Sequence, residues 1–225
     1  IELVVNSGID DNSMQAIGAT CSNLLHLDIS FEEFTYHDDT GYKLLSDVGF
    51  GAIARLSKLQ LLRLRHIGKL SDAALSTIMR SCNLRELTLN LRHRHKLSEN
   101  ALHNIAELCP HLNYFEAVHN HFIGKRNMNS LATLTQSLLT VVLRGVEQIQ
   151  DQDASQLVKQ CSNLRKLSLD GCRDVGNKTL AECILHARKL PFDPFTGTRP
   201  EFHCGLVCTA VERSSLNDLI NELPS

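Results

Sequence analysis

Along most of this chain apolar residues fall in the pattern Leu-x-x-Leu-x-Leu: Leu24/Leu27/Ile29, Leu59/Leu62/Leu64, Leu84/Leu87/Leu89, Leu112/Phe115/Ala117, Leu138/Val141/Leu143 and Leu164/Leu167/Leu169. The alternation at Leu27-x-Ile29 or Leu167-x-Leu169 has period two, so both side chains point to one face of a short strand. A polar start signal precedes the next apolar run in several copies: "IDDNSM" at 9, "LSDVGF" at 45, "LSDAAL" at 70 and "LSENAL" at 97. Ser and Asp are favoured helix N-caps, so a helix is predicted after each. Its stripe follows at three- and four-residue spacing: Met14, Ile17 and Cys21; Leu75, Ile78 and Cys82; Leu102, Ile105 and Cys109; Ala154, Leu157 and Cys161. Each unit reads as strand, turn and helix, with a cysteine at the helix end.

First members of the pattern stand 35, 25, 28, 26 and 26 residues apart. A period in the twenties with this motif is the signature of leucine-rich repeats. Leu3 and Val5 fit as the end of an earlier copy, and Leu190 as part of a degenerate last one. One unit cannot bury its own apolar face, so the units must stack. The predicted fold is α/β, a right-handed β-α superhelix: a horseshoe solenoid with a curved parallel sheet and outer helices.

Residues 1–190 form the predicted solenoid, and the longest interval reflects an insertion, "FEEFTYHDDTGYK" at 31–43. It reads as a solvated loop whose aromatics pack on the solenoid, although its acidic and aromatic mixture also suits a binding loop. "FIGKRNMNSLATL" lacks the Ser-Asp cap, so a less regular turn is expected there. From Pro191, "PFDPFTGTRPEFHC" is too rich in proline for another standard helix. Residues 191–225 are expected to be an irregular segment ending in a capping helix over "AVERSSLNDLINEL".

The 225 residues carry a formal net charge of −2, and 43% are hydrophobic. That composition supports a buried core and supplies no basic excess for nucleic acid. No apolar run is long enough to span a membrane, and a chain starting at Ile1 without a leader reads as part of something longer. The cysteines at 21, 82, 109 and 161 recur at one repeat position, so a column of small buried thiols is expected. Unpaired thiols in this number imply a reducing, intracellular compartment, cytoplasmic or nuclear. Cys204 and Cys208 in "CGLVC" lack the spacing of a redox-active CxxC pair.

Candidate chemistry is sparse. His93 and His95 in "RHRHK", with His119 and His121 in "HNH", occupy polar turns, and His93 and His121 are equivalent in neighbouring units. Zinc accepts imidazole clusters, but no carboxylate or cysteine completes this one, so solvated turn histidines are expected. There is no phosphate-cradling glycine loop, nucleophile elbow or HExxH. The expectation is therefore no enzyme, no cofactor and no metal site. What remains is the concave strand face, where Asp28, Arg63, Arg65, Glu86, Tyr114, Glu116, Arg144, Lys166 and Asp170 are the candidate partner-binding residues. Its mixed charge and its Tyr, Leu and Val side chains suit a protein target.

The copies "CSNLLHLDIS", "CPHLNYFEAV" and "CSNLRKLSLDGC", with "LSDAAL" and "LSDVGF", resemble the cysteine-containing leucine-rich repeats of F-box proteins and the related antagonist-of-mitotic-exit-network group, over about residues 1–190. The resemblance implies a non-catalytic substrate-recognition domain of a Skp–cullin–F-box ubiquitin ligase. A Skp adaptor and a cullin would be its partners if an F-box precedes residue 1. No F-box segment lies within 1–225, "SCNLREL" is one residue short, and "TQSLLTVVL" lacks the cysteine. The alternative is a repeat scaffold or regulator without an F-box, in a signalling, mitochondrial or ciliary assembly. A metal-dependent hydrolase built on the turn histidines is the third reading.

Overall fold

The computed structural model describes residues 1–6, 8–31, 45–91, 97–190 and 201–206. The Ser and Asp start signals cap helices as the sequence predicts. Asp10 accepts the Ser13 N–H at 2.8 Å ahead of α1 (Asp11–Thr20), Ser46 caps α2 (Asp47–Ile53), and Ser71 caps α3 (Asp72–Ser81). Each cap satisfies an N–H that the first turn cannot bond internally.

Among the described residues eight short strands alternate with these helices: β1 (Glu2–Val5), β2 (His26–Ser30), β3 (Leu61–Arg65), β4 (Glu86–Asn90), β5 (Tyr114–Val118), β6 (Thr140–Arg144), β7 (Lys166–Ser168) and β8 (His203–Gly205). They form one open sheet in sequence order, and every adjacent pair is parallel. The register aligns Leu3, Leu27, Leu62, Leu87, Phe115, Val141, Leu167 and Cys204 in one inward row. From Leu27 to Leu167 this row is fully buried against the helices, and each such side chain contributes about 1.5–3 kcal/mol. A helix in each crossover and an unclosed parallel sheet make this the leucine-rich repeat solenoid that the periodicity predicts. The Leu3 and Val5 assignment holds, since both pair in register with Leu27 and Ile29.

The cysteine column forms as expected. Cys21, Cys82, Cys109 and Cys161 each cap a helix, their N–H groups donating to Ile17, Ile78, Ile105 and Leu157. Cys82, Cys109 and Cys161 are buried, Cys21 half-buried. The Cys82 and Cys109 thiols point at the Ile53 and Met79 carbonyls of the preceding unit, at 3.6 and 3.9 Å. Burial pushes all three buried thiols up to about 12.

Three places depart from the regular unit. The helix predicted over "LSENALHNIAEL" divides into a 3-10 turn at Glu99–Leu102 and a short α4 (Ile105–Leu108). Asn100, His103 and Asn104 at the break are weak helix formers that compete for backbone groups; His103 Nδ1 contacts the Asn100 carbonyl at 2.5 Å. The uncapped unit instead starts α5 (Lys125–Ala132) at Gly124, whose N–H donates to Asn127 Oδ1 at 2.9 Å. After α6 (Asp151–Gln160) and α7 (Asn177–Lys189), the sheet takes in β8 from the segment read as irregular, with Cys204 at the inward position. The insertion, apart from Phe31, and the expected capping helix lie outside the described residues, as do His93, His95 and Cys208. Among the described residues no helix is long and apolar enough to cross a membrane.

Candidate functional site

Because strand side chains alternate, the residues between the buried leucines emerge on the opposite, concave face of the sheet. The register arranges them in rows across the repeats. One row runs His26, Leu61, Glu86, Tyr114, Thr140, Lys166 and His203, and the next Asp28, Arg63, Thr88, Glu116, Val142, Ser168 and Gly205. A third holds Ser30, Arg65 and Asn90, with Val118 and Arg144 further along. Eight of the nine predicted residues therefore occupy outward strand positions. Asp170 does not: β7 ends at Ser168, and Asp170 lies in the turn beyond it. It still reaches the same surface, within 3.6 Å of Arg144 Nε.

Charges on this face are matched locally. Asp28 Oδ2 lies 3.2 Å from Arg65 Nη1 and 3.9 Å from Arg63 Nη1, and Arg63 Nη2 lies 3.6 Å from Glu86. Asp28 is 8% exposed, and its Oδ1 is buried without a hydrogen-bond partner among the described residues. The middle row is more covered than strand alternation alone suggests: Thr88, Val142 and Ser168 are also buried. Neighbouring strands stand under about 5 Å apart, so long side chains such as Arg63 and Tyr114 screen the short ones between them.

Tyr114 donates from its hydroxyl to Glu116 at 2.8 Å, and the Thr88 hydroxyl donates to the same carboxylate oxygen at 3.4 Å. Burial, reinforced by the bond to Glu116, pushes the Tyr114 phenol up to about 12, so it remains a neutral donor. At the C-terminal end, Ser168 donates to Asp170 at 2.8 Å and Arg144 Nε to Ser168 at 3.5 Å. These residues, with Lys166, His203 and Gly205, line an open cavity of about 480 Å³. Lys166 is exposed and has no partner among the described residues. The arrangement can hold polar and charged groups of a second molecule by hydrogen bonds and charge.

No set of three or more His, Cys, Asp or Glu side chains is disposed to hold a metal among the described residues. His119 sits at the left-handed exit from β5, φ 53°, its N–H donating to the Arg144 carbonyl, and His121 is exposed beyond it.

Sequence reasoning missed a second set of polar contacts at the helix starts. Asp11 accepts from the N–H and hydroxyl of Ser46 at 2.8 and 2.6 Å, and from the Gly49 N–H at 3.0 Å. Asp72 accepts the Ser98 N–H at 2.8 Å and also its hydroxyl, while Asp151 accepts the Thr179 N–H and hydroxyl at 2.8 and 2.6 Å. The repeated Ser-Asp pair was the available signal: Ser caps its own helix and Asp reaches the cap of the next.

No protein-family profile matches this chain, and no curated protein does. Forty-six solved chains match it in structure. They include a chain of the crystal structure of the Rad7 and Elc1 complex in yeast, at 14% sequence identity and a TM-score of 0.41. That match covers 84% of this chain, which spans 61% of the length of that one.

Proposed function

We propose that this chain is a non-catalytic protein-binding module whose concave sheet face receives a protein target. The observation that carries the reading is the continuous outward face of β2 to β7. There Asp28, Arg63, Arg65, Glu86, Tyr114, Glu116, Arg144 and Lys166 stand in register, joined by Asp170 from the turn. Rigid strands hold these side chains, several already fixed by ion pairs or hydrogen bonds, so little ordering remains to oppose binding. A curved repeat sheet offers many such positions at once.

Within that reading, we assign the module to substrate recognition in a Skp–cullin–F-box ubiquitin ligase, on the resemblance of its cysteine-containing repeats to those of F-box proteins. The buried, unpaired thiols of Cys82, Cys109 and Cys161 fit the reducing interior of a cell, where such ligases work. Affinity purification of the intact protein, with all sequence that flanks this chain, tests the assignment. Recovery of a Skp adaptor and a cullin supports it; their reproducible absence, with other partners present, favours a scaffold without an F-box.

A further inference from the structure

Among the described residues, seven units place a core-facing residue seven positions after the cap that opens their helical segment: Ile17, Ile53, Ile78, Ile105, Leu131, Leu157 and Cys183. The inward strand row likewise reads Leu, Leu, Leu, Leu, Phe, Val, Leu and then Cys204. Six units use a branched aliphatic at the helix position. The last uses cysteine at both, and the two sulfurs lie 3.4 Å apart in hydrogen-bond contact. Cys183 is buried, whereas Cys204 is exposed on the terminal strand of the described sheet.

We propose that Cys183 and Cys204 are a reversible oxidation site, converted by a hydroperoxide to a disulfide that ties β8 to α7. The contact with Cys183 holds the Cys204 thiol below its ordinary value, and the same contact, with burial, holds Cys183 above it. Cys204, exposed where Cys183 is buried, is the sulfur that meets the peroxide and attacks once deprotonated. It attacks the peroxide O–O bond: an S–O bond forms, the O–O bond breaks, and the leaving oxygen takes a proton to depart as water or alcohol. Cys183 then attacks the resulting sulfenic acid. The S–S bond forms, the S–O bond breaks, and the Cys183 proton leaves with the oxygen as water. The sulfurs together lose two electrons to the peroxide, and a cellular dithiol restores them by exchange.

Buried Cys82, Cys109 and Cys161 point at backbone carbonyls and have no sulfur partner of this kind among the described residues, so they stay reduced. Oxidation tethers the strand whose His203, Cys204 and Gly205 line the C-terminal concave cavity. That wall pairs with β7 over three residues.

The test treats the full chain with hydrogen peroxide, blocks free thiols, digests with trypsin without reduction and reads the linked peptides by mass spectrometry. Cys183 falls in peptide 179–188, and Cys204 shares peptide 190–213 with Cys208. The expected product joins these two peptides, persists in Cys208→Ser, disappears in Cys204→Ser and reverts with dithiothreitol. A Cys204–Cys208 bond in the wild type, or overoxidised Cys204 beside a free Cys183 thiol, overturns the proposal. Both are read on the wild-type chain, so the result survives poor folding of a variant.

Discussion

Asp11, in the first turn of one repeat helix, accepts hydrogen bonds from both the backbone N–H and the hydroxyl of Ser46, the cap of the next helix, at 2.8 and 2.6 Å. Gly49 joins the contact through its own N–H, and a Cβ there would collide with the Asp11 carboxylate. Asp11→Ala is expected to lower stability by about 1–2 kcal/mol, the scale of lost charge-assisted caps. Gly49→Ala should lower it too, by forcing that carboxylate away. Urea denaturation of each variant checks both; wild-type midpoints would mean the contact does not couple the repeats.

Acid should weaken the same contacts. Burial raises the pKa values of Asp11 and Asp151, but hydrogen bonds outweigh it: from Ser46 and Gly49 for Asp11, and from Thr179, Gly176 and Lys178 for Asp151. Both therefore sit below the ordinary carboxylate value when folded. For a depressed carboxylate the stabilisation is complete above the unfolded pKa and is lost as pH falls through the folded one. The thermal midpoint should decline through that acid range, less steeply in Asp11→Asn/Asp151→Asn. Identical slopes in the two proteins would count against the linkage.

The strand register makes a sharper demand. Leu167 is completely buried between Val141 and Cys204, and Leu167→Ala is expected to cost about 2–5 kcal/mol, transfer loss plus cavity. An unchanged thermal midpoint would refute the register.

Asp28 makes Arg65 a structural as well as a surface residue. Its carboxylate is nearly buried, and Arg65→Ala leaves it, among the described residues, Arg63 at 3.9 Å, for an expected loss of about 1–3 kcal/mol. Reversal to Arg65→Glu should cost more, by setting two carboxylates together. Denaturation curves in low salt measure this. Full wild-type stability in Arg65→Glu would show that the pair holds nothing.

The repeat architecture was legible because its signals are local and redundant. Leu27, Leu62 and Leu87 repeat a period-two strand, Ser46, Ser71 and Ser98 mark each helix start, and Cys82, Cys109 and Cys161 mark each end. The outward residues followed from the same alternation, including those that form the Asp28, Arg63 and Glu86 chain. Less legible was whatever depends on distance in space. Asp170 leaves the strand because β7 is only three residues long, yet returns to Arg144. Cys204 reaches the inward row because the chain between α7 and β8 is longer than in other units, which no repeat period marks. Its contact with Cys183 joins two residues that share no sequence motif.

The protein-binding claim is tested most directly by comparing partners of the intact protein with those of variants altered on the concave face. Tyr114→Ala and Lys166→Glu are suited to this, because Tyr114 stands in the outward row with its hydroxyl bonded to Glu116 and Lys166 is exposed without a described partner. With circular dichroism establishing that each variant is folded, quantitative affinity purification should recover a target with the wild type and lose it with both variants. Under the F-box assignment a Skp adaptor and a cullin stay bound throughout, since they engage a segment outside the repeats. An unchanged set of partners in both folded variants would contradict the account and remove the concave face as the binding surface.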